Sequence, residues 1–300
     1  MDPRRILLTG LIDYAGLFPP ARLDMSTAVR NYGAYRSSPD SWMLARFISP
    51  VARLSEFERN AAPLLPRQPS DEPWPISAIV GEELDREIDA IFEFNRRHSE
   101  PENGLAVVDT IELRAGGPRD IDRAMGIIPE QLTPFFEVPP GDDIRGLITA
   151  MAGTGAHAKI RCGGVTHDLF PSSEFVANFI ACCAAAEVPF KATAGLHHPV
   201  RSDHPLTYEP ESPSGTMHGF LNVFLAAAMI RRANMTIPDA IELLEERDPA
   251  EFRFGDETIS WKQYSLDAGR LASARESFAI AFGSCSFEEP VADLRSLRAI

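Results

Sequence analysis

Two lysines occupy matching positions in two short apolar segments, and their side chains could carry carbonyl chemistry. Lys159 is followed two places later by Arg161, and Lys191 is followed two places later by Thr193. In extended chain, each pair projects to one side while apolar neighbours project to the other. Two ammonium groups in one poorly hydrated pocket repel each other, and burial also favours the neutral amine, so the sequence predicts a lysine pKa lowered from about 10.4. A neutral lysine is a nucleophile toward carbonyl carbons.

Charged residues in other segments could complete such a site. Glu112 is the candidate acid or base, with Asp109 as the alternative if the register of their segment shifts. Arg161, Arg114 and Arg46 could hold a carboxylate or phosphate through charge-assisted hydrogen bonds. Further residues expected at the same mouth are Asp13, Glu137, Thr193, Gly195, His197, His198, Gly283 and Ser284. Each carboxylate could instead serve only to neutralise a lysine or arginine, and each arginine could be a structural ion-pair partner.

The elements that would position these residues are short apolar segments that alternate with stretches of helical apolar spacing. The segments are Leu11–Phe18, Met43–Val51, Ile76–Gly81, Leu105–Arg114, Thr133–Val138, His157–Cys162, Val188–Ala194 and Phe278–Ser284. This alternation predicts parallel strands with helical crossovers, and the eightfold repeat predicts a closed (β/α)8 TIM barrel of the α/β class that forms one domain over residues 1–300. The alternative is a doubly wound sheet. It is disfavoured because no Gly-x-Gly-x-x-Gly motif follows the first strand in this sequence.

The alternation breaks between the seventh and eighth segments. Residues 197–277 are far longer than the single helix needed there, so they predict a helical insertion beside the barrel mouth. The insertion should contain a long apolar helix, His218–Ala233, and a small hairpin, Glu251–Trp261. We expect it to form either a lid or an oligomer contact.

The surroundings of the two lysines resemble the paired lysine motifs of deoxyribose-phosphate aldolase and its class I aldolase relatives. The stretches concerned are Lys159-Ile160-Arg161-Cys162-Gly163 and Lys191-Ala192-Thr193-Ala194-Gly195-Leu196. The resemblance, confined to these two stretches, implies that Lys159 forms a Schiff base, that Lys191 tunes its pKa, and that an acidic residue on the fourth strand transfers protons. Arg161 and the sequence Leu196-His197-His198-Pro199 depart from the family pattern and imply a different substrate.

The substrate is expected to be a small anionic carbonyl compound, either a sugar phosphate or a keto acid. Gly195 and the stretch Gly283-Ser284-Cys285-Ser286 follow the seventh and eighth strands, where barrels often bind phosphate. Glu288 and Glu289 begin the next helix and would repel an anion, so a generic anionic or polyol substrate is favoured over a strictly phosphorylated one.

Two other functions stay open. The first is a metal-dependent lyase, isomerase or hydrolase whose ligands are loop histidines together with Glu112 or Glu137. The histidines concerned are His197, His198, His204 and His218. Their spacing matches no standard ligand motif, so no cofactor is expected and no metal ligand is assigned. The second is a barrel that binds a small anion without turnover.

Cys162 and Cys285 are interpreted as small buried hydrophobes, because the sequence fixes no histidine beside either.

Composition limits the partners. The chain has 29 Lys+Arg against 43 Asp+Glu, a net charge of −14, which disfavours nucleic acid. The four cysteines form no Cys-x-x-Cys pair, which fits a reducing compartment. No apolar run approaches a membrane span, and the amino-terminal run is too short for a signal peptide. We therefore expect a cytoplasmic enzyme with a small-molecule substrate and no membrane partner, and leave a homo-oligomer open.

Overall fold

All eight predicted segments become strands of one closed parallel barrel. The computed structural model describes residues 2–141 and 144–297. The barrel strands are β1 (Ile12–Tyr14), β2 (Leu44–Pro50), β3 (Trp74–Ile79), β4 (Ala106–Arg114), β5 (Thr133–Val138), β6 (His157–Arg161), β7 (Phe190–Thr193) and β13 (Ala279–Ser284). Each pairs in parallel with its neighbours in sequence, and β13 closes the ring between β7 and β1. The predicted TIM barrel is confirmed.

Helices cover the outside of this barrel. They are α1 (Pro3–Leu8), α2 (Met25–Arg36), α3 (Leu54–Ala61), α4 (Leu84–His98), α5 (Pro118–Met125), α6 (Arg145–Met151), α7 (Ser173–Ala185), α8 (Phe220–Ala233), α9 (Ile237–Glu245), α10 (Ala268–Ser277) and α11 (Glu288–Ser296). Several begin at side-chain caps, as at α7, where Ser172 Oγ accepts a 3.1 Å hydrogen bond from the Phe175 amide. No helix in the described ranges has the length and apolarity needed to cross a bilayer.

Strand alternation determines which side chains reach the interior. Ala158, Ile160 and Ala192 are buried in the apolar layer between strands and helices. Lys159 and Lys191 therefore point to the opposite side, into the barrel. The predicted orientation of the two lysines follows directly from this apolar layer.

The segment between β7 and β13 contains more β-structure than predicted. Besides α8, α9 and α10 it forms an antiparallel hairpin, β8 (Ser202–Pro205) with β9 (Ser214–Met217), and a three-stranded sheet, β10 (Arg253–Phe254), β11 (Thr258–Trp261) and β12 (Tyr264–Asp267). The predicted hairpin is present as β10 and β11. In β11, Ile259 and Trp261 are buried while Thr258 is exposed, which is the period of a strand rather than a helix.

Helix α8 explains why this segment is so long. Residues 220–229 are all buried, so the helix needs apolar cover on every side. Phe220 stacks on Phe282 of the barrel at 5.1 Å between ring centroids, and α7, α9, α10 and β12 also pack against α8. The role of the segment as lid or oligomer contact stays a prediction.

Candidate active site

The carboxyl ends of the barrel strands surround one large open cavity. Its volume is about 720 Å³, which suits a small-molecule ligand. The titratable residues on its wall are Glu82, Glu112, Arg114, Glu137, Lys159, Arg161, His197 and Cys285. Because the wall carries cationic and anionic groups together, the cavity suits a polar and charged ligand.

The two lysines lie side by side on adjacent strands, and only one of them borders the cavity. Lys159 pairs in register with Lys191, and their exposed fractions are only 5% and 1%. Lys159 borders the cavity, whereas Lys191 does not. Of the two amines, Lys159 is therefore the one that a ligand in the cavity would meet.

Glu112 lies between the two amines and bonds to both. Lys159 Nζ is 2.7 Å from Glu112 Oε2, and Lys191 Nζ is 2.6 Å from Glu112 Oε1. Each lysine has a second carboxylate, because Lys159 Nζ lies 2.8 Å from Glu137 Oε2 and Lys191 Nζ lies 2.5 Å from Asp13 Oδ2. Two ammonium groups thus share three carboxylates.

These carboxylates reverse the predicted electrostatics of Lys191. Burial lowers the pKa of Lys191, but the charges of Asp13 and Glu112 and their hydrogen bonds outweigh it, so the pKa of Lys191 is raised. The prediction of a lowered lysine pKa is therefore wrong for Lys191. The prediction rests on burial and on repulsion between the two amines, whereas the neighbouring carboxylates of Asp13 and Glu112 have the larger effect. Burial likewise raises the pKa of Glu112, yet the two lysines hold that pKa well below its usual range.

Glu137 connects Lys159 to the predicted anion-binding residue Arg161. Its Oε1 lies 3.2 Å from Arg161 Nε, while its Oε2 bonds to Lys159. Burial raises the pKa of Glu137, but Lys159 and then Arg161 lower it by a larger amount. Arg114 pairs in register with Glu137 and is exposed at the cavity wall. Arg114 has no ion-pair partner among the residues that the structure describes.

Three polar residues that the sequence predicts as candidates for the site, Asp13, Arg46 and Asp109, do not border the cavity. Asp13 Oδ1 accepts a 2.9 Å hydrogen bond from the Arg46 amide. The Arg46 side chain bonds to both carboxylate oxygens of Asp109, at 2.6 and 2.8 Å. Neither Arg46 nor Asp109 borders the cavity. Of the predicted arginines, Arg114 and Arg161 reach the cavity wall and Arg46 does not.

Ser77 is a further polar residue of the site, beyond those that the sequence pattern predicts. The Ser77 hydroxyl, fully buried on β3, donates a 2.7 Å hydrogen bond to Glu112 Oε1. A signal was available, because Ser77 lies between Ile76 and Ala78 and is a polar residue on the side of the strand that faces inward. Its hydrogen bond fixes the position of the carboxylate that bridges the lysines.

Only some of the candidate residues at the ends of β7 and β13 border the cavity. Thr193 and Gly283 border it, whereas Gly195 and Ser284 do not. Gly195 has φ +70°, and a Cβ there would lie 2.6 Å from Gly163 Cα, so this position requires glycine. Ser284 Oγ accepts from the Ser286 amide at 3.3 Å. This hydroxyl is thus held by its own loop.

The loop histidines do not converge. His197 reaches the cavity and bonds through Nδ1 to Glu289, 3.0 Å away. His198 Nδ1 instead lies 2.6 Å from Asp293 Oδ2, and the His198 ring stacks on His204. His218 lies elsewhere and bonds to the Pro171 carbonyl at 2.8 Å. Within residues 2–141 and 144–297, no three His, Cys, Asp or Glu side chains are arranged to hold a metal ion, so the proposed histidine ligand set is not assembled.

The sequence matches no protein-family model, and no curated protein is significantly similar to it. The cavity and its lysines are therefore the basis for any assignment of function.

Proposed function

We propose that this chain is a lyase of the class I aldolase type, in which Lys159 forms a Schiff base with a small anionic carbonyl compound. One observation carries the proposal: Lys159 Nζ is a buried amine at the wall of a large cavity, within 2.8 Å of two carboxylates that could exchange protons with it. The TIM-barrel fold is typical of enzymes, and the motifs around Lys159 and Lys191 resemble those of class I aldolases.

Lys159 must lose a proton before it can attack a carbonyl, and Glu137 is the acceptor we assign. Glu137 lies 2.8 Å from the amine and also holds Arg161. An anionic substrate that attracts Arg161 would remove one of the two positive charges that keep the pKa of Glu137 low. The pKa of Glu137 would then rise, and the carboxylate could take the proton of Lys159. Substrate binding would thereby generate the nucleophile.

The two arginines at the cavity wall are the anion anchor in this proposal. Arg114 is exposed and has no ion-pair partner in the described part of the chain, and the side chain of Arg161 is 39% exposed. A guanidinium binds a carboxylate or phosphate with two parallel hydrogen bonds, so either group of substrates would fit.

Lys191 keeps Glu112 charged and fixed beside the reacting amine. The raised pKa of Lys191 means that it stays protonated, so its role is to hold Glu112 and not to repel the proton of Lys159. In the reaction, the Lys159 nitrogen bonds to the carbonyl carbon, and the carbonyl oxygen leaves as water with one proton from that nitrogen and one that Glu137 returns. The pair from the broken carbon–carbon bond enters the enamine, and the hydroxyl proton of the departing aldehyde passes to Glu112 through water.

Borohydride trapping tests the proposal, and the sequence makes its readout simple. The chain contains only the lysines Lys159, Lys191 and Lys262. Lys262 is 42% exposed at its side chain and reports nonspecific reaction. Incubation with small aldehydes, keto acids and sugar phosphates, followed by borohydride and peptide mass mapping, should place a reduced adduct on Lys159.

The matched control is Lys159→Met, which should lose the adduct at neutral pH and keep the background at Lys262. Adducts confined to Lys262, or equal at all three lysines, would refute a Schiff-base enzyme. Thermal stabilisation by keto acids or sugar phosphates, without any adduct or product, would support the non-catalytic anion-binding barrel instead.

A further inference from the structure

Cys285 forms a cluster of reactive side chains with His197, Glu289 and Tyr208 on the rim of the cavity. Cys285 Sγ lies 4.0 Å from His197 Nε2, and the other ring nitrogen of His197 lies 3.0 Å from Glu289 Oε2. The Tyr208 hydroxyl donates a 2.9 Å hydrogen bond to the same carboxylate oxygen and lies 3.7 Å from the sulfur. The four side chains therefore form one connected group.

Four different parts of the chain build this group. Cys285 directly follows β13, His197 follows β7, Glu289 lies in the first turn of α11, and Tyr208 lies in the loop of the β8–β9 hairpin. Cys285 and His197 border the large cavity although they are only 5% and 7% exposed. The thiol is thus reached from the cavity and not from the outer surface.

The arrangement matches what a nucleophilic thiol needs. A thiolate is the reactive form of cysteine, and an adjacent imidazole that a carboxylate orients can take the thiol proton. Burial lowers the pKa of His197, but its hydrogen bonds to Cys285 and Glu289 raise the pKa to about 9. His197 can therefore hold the proton that Cys285 gives up.

We propose that Cys285 is a second nucleophile of this cavity, activated by His197, and that it adds reversibly to the carbonyl carbon of a small aldehyde. The sulfur–carbon bond forms while the π pair of the carbonyl moves onto its oxygen. That oxygen then takes from His197 the proton that came from the thiol, which gives a hemithioacetal. An aldehyde fits because the addition needs this one proton and no leaving group. The step requires no Schiff base at Lys159 and extends beyond the function proposed above.

Alkylation of the intact chain tests the thiol, with Cys182 as the internal control. Cys182 is more exposed than Cys285, so accessibility alone predicts that iodoacetamide reacts faster with Cys182. Activation of Cys285 by His197 reverses this order, and we expect Cys285 to react about tenfold faster at pH 7. His197→Gln should bring its rate down to that of Cys182 or below. Equal or slower reaction of Cys285 in the unmodified chain would overturn the proposal without any variant.

Protection by propanal tests the ligand class. Propanal should slow alkylation of Cys285 in the original chain and equally in Lys159→Met, and dialysis should restore the rate. Protection in neither protein would overturn the aldehyde assignment. Protection only where Lys159 is present would mean that an imine at Lys159 blocks the thiol, which overturns this inference while supporting the Schiff-base enzyme.

Discussion

Replacement of Lys191 by methionine should destabilise the fold, because Lys191 holds two buried carboxylates together. Asp13 and Glu112 are each 1% exposed and lie 2.5 and 2.6 Å from Lys191 Nζ. Removal of one partner from a buried ion pair costs about 3–5 kcal/mol. Lys159 and Ser77 would still bond to Glu112. We therefore expect the free energy of unfolding at pH 7 to fall by about 3 kcal/mol, at the lower end of this range.

For a chain of 300 residues this loss corresponds to a Tm about 5 °C lower. Scanning calorimetry at pH 7 and pH 4 would measure it. Lys191 is one of the two cations that lower the pKa of Glu112, so without it Glu112 gains its proton at a higher pH than in the original chain, and the deficit should shrink at pH 4. Lys262→Met is the matched control, since Lys262 forms a surface pair with Glu242, and its Tm should change by less than about 1 °C. The reasoning would be refuted if Lys191→Met had the same Tm as the original chain at pH 7, or if its Tm were lower by the same amount at both pH values.

Three further predictions concern the carboxylates and the anion anchor. Arg114→Gln should raise the KM for an anionic carbonyl compound about tenfold and leave the Tm unchanged, because a charge-assisted hydrogen bond contributes about 1.5–3 kcal/mol; steady-state kinetics and calorimetry would check both. Glu137→Gln should slow adduct formation at Lys159 by about 10²-fold in quenched-flow trapping, and an unchanged rate would exclude Glu137 as the proton acceptor. The lowered pKa values of Glu112 and Glu137 imply stability that is complete above their ordinary pKa near 4.5 and is lost as the pH falls below it. The urea concentration at the unfolding midpoint should therefore fall as the pH is lowered from 7 to 3. The fall should be less steep in Glu137→Gln, which has no carboxylate at position 137 to protonate.

Much of the fold was predictable because barrel strands have simple local rules. The segment Thr133–Val138 was predicted with its observed bounds, and the alternation in β6 and β7 correctly turned the lysines inward. The first strand was predicted as Leu11–Phe18 but ends at Tyr14, since the chain turns there although the apolar run continues. Apolar character alone does not distinguish a strand from a buried turn.

The site was less predictable, because partners across the barrel depend on three-dimensional distances. The position of Glu112 on β4 predicts an acid or base there, but nothing in the sequence indicates that Glu112 lies between two lysines and raises the pKa of Lys191. The sequence predicts that Arg46 binds the substrate, whereas the Arg46 side chain pairs with Asp109, two strands away in the barrel. For the same reason the sequence does not predict the contact between His197 and Cys285, since 88 positions separate them.

Oxygen exchange with solvent tests the role of Lys159 most directly. A Schiff base forms by loss of the carbonyl oxygen as water and reverts by addition of a solvent oxygen, so each cycle replaces that oxygen. In water enriched in oxygen-18, a substrate found by trapping should incorporate the label in the presence of the original chain and only at the uncatalysed rate with Lys159→Met. Equal catalysed incorporation by both proteins, or none by either, would contradict Lys159 as the nucleophile of this barrel.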